Sequence, residues 1–132
     1  MNAPTQAVVA LIWAVVGPPL LVYGGTRVRA GRVRVHQTVM LASVGLELIA
    51  LASFGLLMDP GPRRPALAAL PIFKIHLAFA ITTLLGMTWQ LVSRAVPRLT
   101  PWHRHTGPYV ILVWCLALMT GIYNYVFLYV MR

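Results

Sequence analysis

The chain has 132 residues, of which 59% are hydrophobic and 10% are charged, and its mean hydropathy is +0.77. A soluble domain carries roughly 25% charged residues, so this composition excludes an ordinary water-soluble protein and indicates one domain built in a membrane. The net charge of +9 lies mainly on arginines between apolar stretches, which indicates membrane topology and contact with anionic lipid and argues against a nucleic-acid-binding protein.

Four apolar stretches follow one another along the chain, and each predicts a membrane-spanning helix. Their bounds are about 5–25, 35–58, 71–92 and 104–131. At about 1.5 Å per residue, some 20 residues cross a hydrocarbon core of roughly 30 Å. Because short loops favour antiparallel neighbours, the sequence predicts an all-α membrane protein, a four-transmembrane-helix up-down-up-down bundle that forms a single domain over 1–132.

Basic residues are distributed unevenly between the two ends of the predicted bundle. Loops one and three, with the start of the fourth helix, carry seven arginines, whereas the termini and loop two carry four basic residues. Because basic residues accumulate on the cytoplasmic side, we expect loops one and three in the cytoplasm and both termini outside. Loop two begins with a run rich in proline and glycine, 59–65, which predicts an abrupt end to the second helix.

The second helix carries a polar stripe on an otherwise apolar surface. His36, Met40, Ser43 and Glu47 are spaced at i, i+4, i+7 and i+11, which places them on one face. Polar residues within a membrane are expected to face protein and not lipid. A histidine and a methionine one turn apart are suitable ligands for Cu(I) or haem iron. The alternative interpretation is a hydrogen-bonded stripe that stabilises the bundle.

Histidines also mark the third and fourth helices. His76 lies near the outer end of the third helix, and His103 and His105 begin the fourth. Two residues apart on a helix, His103 and His105 diverge, so at most one of them points into the bundle. The second and fourth helices start from the same side, which predicts His36 and His103 at similar depth. A bis-histidine haem site or a His/His/Met copper site is reasonable there.

Glu47 is the other intramembrane candidate. It lies about 16 Å along the helix from His36, near or beyond the midplane, and its nearest ionisable neighbour is expected to be His76. Its possible roles are proton carrier, quinol partner, metal ligand, or an acid hydrogen-bonded between helices. The aromatic residues of the third and fourth helices, Trp114 among them, are interpreted as packing and interfacial residues.

Common enzyme signatures are missing from the sequence. It has no HExxH, P-loop, GxSxG or dinucleotide-binding motif, and its only carboxylates are Glu47 and Asp59. Hydrolysis by paired carboxylates is therefore excluded. The sequence predicts no catalytic residues, and a redox role stays open.

Several short motifs, in order, resemble those of a family of small four-helix bacterial membrane proteins long catalogued as a domain of unknown function. One branch of that family, the CtaM type, assists maturation of haem–copper terminal oxidases. The resemblance covers about 35–131, and Glu47 has no counterpart in it. The matching positions are His36, Met40 and Ala42; His76-Leu77-Ala78; His103-Arg104; Trp114; Thr120-Gly121; Tyr125; and Leu128-Tyr129.

The resemblance implies that His36, His76 and His103 are the functional histidines and that His105 is extra. It also implies a bacterial inner (plasma) membrane and a role around a metal or haem centre of respiration. We therefore predict a protein that binds haem b or copper and assists or accompanies a haem–copper respiratory oxidase. His36, His76 and His103 are the predicted cofactor-binding residues, and the predicted metal ligands are His36, Met40, His103 and Glu47.

Two alternatives belong to other classes of protein. The first is an accessory structural subunit of a large respiratory or photosynthetic membrane complex, whose histidines hydrogen-bond or contact a partner's pigment. The second is a b-type electron-transfer cytochrome similar to the cytochrome b561 group, which needs two bis-histidine sites. The absence of a second histidine at the depth of His76 disfavours this cytochrome.

Overall fold

The computed structural model describes residues 3–56 and 64–131, and of residues 55 and 56 it describes the backbone alone. No β-strand occurs in these two ranges, and the four long helices confirm the predicted all-α bundle. The helices are α1 (Thr5–Arg29), α2 (Val33–Leu56), α3 (Arg64–Ala69), α4 (Pro71–Ala95) and α5 (Thr100–Tyr129), with a 3-10 turn (Pro97–Leu99) before α5.

The four long helices have the length and composition of membrane spans. The apolar segments are Thr5–Arg29, Val33–Phe54, Pro71–Ala95 and Pro97–Tyr129, and each is 22 residues or longer. Large apolar side chains on their outer surfaces are exposed, for example Leu85 at 68% and Ile49 at 60%. In water such surfaces would aggregate, whereas in a bilayer they face lipid. The chain is a multi-pass membrane protein.

The long helices pack in the order α2, α1, α5, α4, with α1 and α5 as the central pair. The buried core consists of Trp13, Ala14 and Leu21 of α1, Met87 of α4, and Trp114 and Leu118 of α5. Gly17 allows the close approach of the central pair, because a Cβ there would lie 2.6 Å from Leu118 Cδ1. Small residues at such contacts are typical of helix packing in membranes.

The helix bounds differ from the predicted ones chiefly at the turns. α5 begins at Thr100 and not at 104, because Pro101 lies in the first turn of the helix, where its missing N–H is not needed. The short α3 was not predicted, and six residues with one buried side chain, Leu67, are too few for a periodic signal. Residues 57 and 58 and most of the predicted turn at 59–65 lie outside the described residues.

The turn between α1 and α2 is a Schellman motif. Arg32 N donates to Arg27 O at 2.9 Å and Gly31 N donates to Val28 O at 3.1 Å, which closes the end of α1. Gly31 has φ 76°, in the left-handed region that side chains with a Cβ rarely adopt. The turn makes α1 and α2 an antiparallel hairpin.

Replacing Gly31 with alanine is expected to lower the free energy of unfolding by about 1–2 kcal/mol, the strain of a left-handed residue with a Cβ. Asparagine tolerates this conformation better, so Gly31→Asn should lose less. Denaturant unfolding in detergent micelles measures both variants. Equal losses for alanine and asparagine would contradict the conformational explanation.

Candidate functional site

His36 and Met40 of α2 both contact Gly24 of α1. The Nδ1 atom of His36 lies 2.9 Å from the Gly24 carbonyl oxygen. A Cβ placed on Gly24 would lie 3.1 Å from Met40 Sδ, so the thioether packs directly against this glycine. The polar stripe of α2 therefore faces α1, as expected of polar residues in a membrane helix.

His103 of α5 faces α4. Its Nδ1 lies 3.1 Å from the backbone oxygen of Gln90. Beside it, the Thr106 hydroxyl lies 2.7 Å from the Gln90 amide, accepts from Trp89 Nε1 at 3.1 Å, and donates to a carbonyl of its own helix. His105 is exposed and contacts the rings of Trp102 and Tyr109. Of the two neighbouring histidines, His103 points into the bundle and His105 does not, as predicted.

His76 of α4 faces α5 near the opposite end of the bundle. Its Nδ1 lies 3.0 Å from Ala117 O and 3.0 Å from Thr120 Oγ1. Gly121 leaves room for the ring, because a Cβ there would lie 3.3 Å from His76 Cε1. The imidazole ring of His76 therefore packs closely between α4 and α5.

The three histidines share one arrangement. In each, Nδ1 lies 2.9–3.1 Å from a backbone carbonyl oxygen of the adjacent helix. A carbonyl oxygen only accepts, so at His36 and His76 it favours the neutral tautomer in which Nδ1 carries the hydrogen and Nε2 keeps its lone pair. At His103 the side-chain amide nitrogen of Gln90, in the orientation that satisfies its hydrogen bonds, also donates to Nδ1 at 2.9 Å. Metal-ligating histidines commonly have this form, in which a carbonyl fixes the tautomer and the orientation of the ring.

Glu47 connects three helices at the middle of the bundle. Its Oε2 accepts hydrogen bonds from Trp13 Nε1 of α1 at 2.7 Å and from Trp114 Nε1 of α5 at 2.8 Å. Trp13 is 7% exposed and Trp114 is 1% exposed, so both indole N–H groups are shielded from solvent and lipid. We call Trp13, Glu47 and Trp114 the indole–carboxylate clasp.

The clasp sets the relative depth of α2 and α5. Glu47 and Trp114 are 67 positions apart, and so are His36 and His103. Because α2 and α5 both start from the same end of the bundle, the two histidines lie at a similar level, eleven residues before the clasp. They are nevertheless held by different helices, His36 by α1 and His103 by α4.

The predicted ligands are not gathered into one place. Within residues 3–56 and 64–131, no group of three or more His, Cys, Asp or Glu side chains could hold a metal ion. Glu47 lies three turns from His36 and bonds to two tryptophans. The structure brings His36 and Met40 together at Gly24, and it brings Glu47 together with the indoles of Trp13 and Trp114.

The partners of Glu47 were missed by sequence reasoning. Trp114 was interpreted as a packing residue, which it also is, and Trp13 was not singled out. A buried tryptophan needs a hydrogen-bond acceptor for its indole N–H. That requirement could have predicted the pairing of Trp13 and Trp114 with Glu47.

Comparisons with known proteins give no relative. No family model, no curated protein and no solved structure matches the chain.

Proposed function

We propose that this membrane protein offers histidine Nε2 atoms to haem b or a copper ion and assists or accompanies a haem–copper respiratory oxidase. The observation that carries the proposal is the shared arrangement of His36, His76 and His103, whose Nδ1 atoms are each engaged by a backbone carbonyl. This arrangement supports ligation because it orients each ring and, at His36 and His76, leaves Nε2 as the basic atom of the neutral imidazole. A bound haem or copper ion would supply one-electron chemistry.

An assembly or accompanying role fits better than that of a self-sufficient electron carrier. The described residues contain no group of three or more His, Cys, Asp or Glu side chains, so a copper ion would take some of its ligands from a partner or an exogenous group. Weak, incomplete ligation suits a protein that passes a cofactor on. The oxidase as partner, and a bacterial plasma membrane with loops one and three in the cytoplasm, come from the motif resemblance and from the distribution of arginines.

The test is the absorption spectrum and the copper and iron content of the protein purified with any partner. We expect a Soret band or copper above background in the wild type. His36→Asn and His103→Asn should lose it, because asparagine keeps an N–H near the position of Nδ1 but has no atom in place of Nε2. The control is His105→Asn, since His105 is exposed and contacts only aromatic rings among the interactions seen.

Absence of haem, copper and iron from both the purified protein and its partner complex would overturn the ligand proposal. Two haems b per chain, with a b-type alpha band after reduction with dithionite, would instead favour the electron-transfer cytochrome, which needs two bis-histidine sites.

The second candidate is an accessory structural subunit, and a specific observation favours it. Each of the three hydrogen bonds joins two helices, α2 to α1 or α4 to α5, so the histidines also fasten the helices together. In this role His36→Asn would keep both stability and complex assembly, whereas His36→Ala would lose them. If both His36→Asn and His36→Ala lose the metal while His36→Asn still assembles, the result would favour metal ligation by His36.

A further inference from the structure

A groove runs along the outer surface between α4 and α5. Its volume is about 440 Å³, and its floor is formed where Gly86 meets Val110. A Cβ on Gly86 would lie 3.0 Å from both Val110 methyl carbons, so the glycine lets the two helices meet closely beneath the groove. The walls include Leu85 and Val113, and α1 packs on a different face of α5, at Cys115 and Leu118.

The groove is short enough to lie within one leaflet of a membrane. On α4 it extends over eight residues, from Thr82 to Trp89, which is about 10 Å along a helix. Half of a hydrocarbon core is about 15 Å. A spanning helix of another protein would contact the whole length of α4 and α5, whereas an acyl chain of one leaflet needs only this part.

One end of the groove is polar and aromatic. Trp89 and Tyr109 line this end, and Trp89 Nε1 donates to Thr106 Oγ1 at 3.1 Å, which holds the indole in place. Tyr109 is 64% exposed and contacts the ring of His105. Tryptophan and tyrosine at this position are typical of the level where hydrocarbon meets lipid headgroups.

Positive charge lies beyond that end. Arg94, Arg98 and Arg104 are exposed where α4 turns into α5. The chain has two acidic residues in all, and both, Glu47 and Asp59, lie elsewhere in the sequence. Within the described part of the chain the one acid, Glu47, bonds to Trp13 and Trp114, so no described acid neutralises these arginines. They complement a phosphate at the headgroup level.

We propose that the groove between α4 and α5 is a binding site for an anionic phospholipid. One acyl chain lies along Gly86 and Val110, and the phosphate lies at Arg94, Arg98 and Arg104. This site does not depend on haem or copper, so its failure and the failure of the proposed function are separate results.

Native mass spectrometry of the full chain in detergent, with added phosphatidylglycerol or phosphatidylcholine, tests the site. We expect phosphatidylglycerol to remain bound and phosphatidylcholine to dissociate. The double variant R98Q/R104Q should bind phosphatidylglycerol roughly 30-fold more weakly, from about 1 kcal/mol for each arginine. R64Q, an exposed arginine at the other end of the bundle, should bind as the wild type does. Inorganic phosphate at millimolar concentration should not compete, since it lacks the acyl chain.

A second pair of variants tests the groove itself. Thr82→Trp fills the groove and should abolish retention of the lipid, whereas Leu112→Trp, on an exposed face of α5 outside the groove, should not. Circular dichroism confirms that each variant keeps its helices. Equal retention of the two lipids, retention unaffected by R98Q/R104Q, or retention unaffected by Thr82→Trp would each overturn the proposal. A dimer of the chain that Thr82→Trp dissociates would assign the groove to a second copy and would also overturn it.

Discussion

Replacing Glu47 with alanine is expected to destabilise the bundle by about 2–6 kcal/mol, because two buried indole N–H groups lose their acceptor at once. Trp13 and Trp114 are nearly fully buried, so neither N–H can turn to water or to a headgroup. The vacated carboxyl also leaves a cavity between α1, α2 and α5, which adds to the loss. No other described contact places a polar acceptor from α2 against both central helices.

Glu47→Gln is the matched control for this loss. Glutamine has nearly the same shape and keeps a carbonyl oxygen that accepts both N–H groups. We therefore expect Glu47→Gln to retain most of the free energy of unfolding that Glu47→Ala loses. Unfolding in mixed micelles, followed by tryptophan fluorescence, reports on both the stability and the surroundings of the two indoles. If the alanine and glutamine variants were equally stable, the hydrogen bonds of the clasp would contribute little.

Gly24→Val is expected to destabilise the α1–α2 hairpin by about 1–3 kcal/mol through overpacking. A Cβ at Gly24 would lie 2.8 Å from Val39 Cγ1 and 3.3 Å from Val39 Cβ. Valine has one strongly preferred rotamer in a helix, so Val39 cannot move aside and the helices must separate. Separation would also stretch the 2.9 Å hydrogen bond from His36 to the Gly24 carbonyl.

Gly45→Val provides the control for Gly24→Val. Both glycines lie inside helices, so the intrinsic change in helix propensity is the same. At Gly45 an added Cβ meets nothing within 4 Å. The difference in unfolding free energy between the two variants therefore isolates the packing of α1 against α2. A loss at Gly45 as large as that at Gly24 would contradict the clash as its cause.

The sequence predicted the parts of the fold that depend on single helices. Hydropathy located all four spans, and the spacing of His36, Met40 and Glu47 predicted a stripe that does face a neighbouring helix. Depth could be predicted too, since rise per residue is constant along a helix. This is why His36 and His103 were expected at one level.

The adjacency of the helices could not be predicted in the same way. Periodicity gives the apolar face of each helix but not which helix lies against it, so nothing in the sequence said that α1 and α5 both lie between α2 and α4. Not knowing which helices are adjacent mattered most for His36 and His103. Their Nδ1 atoms hydrogen-bond to carbonyl oxygens of two different helices, α1 and α4 respectively. The indole partners of Glu47 come from two different helices for the same reason.

The two hairpins, α1–α2 and α4–α5, have a consequence for biogenesis. A chain leaves the ribosome from its N-terminus, so α1 and α2 enter the bilayer before α4 and α5 exist. The hydrogen bond from Trp13 to Glu47 lies within the first hairpin, so it needs neither α4 nor α5 to form, and the acid need not face hydrocarbon alone. Trp114 arrives later and docks onto an acceptor that is already oriented. Because of this order of synthesis, the α4–α5 hairpin packs against an α1–α2 hairpin that is already in the membrane.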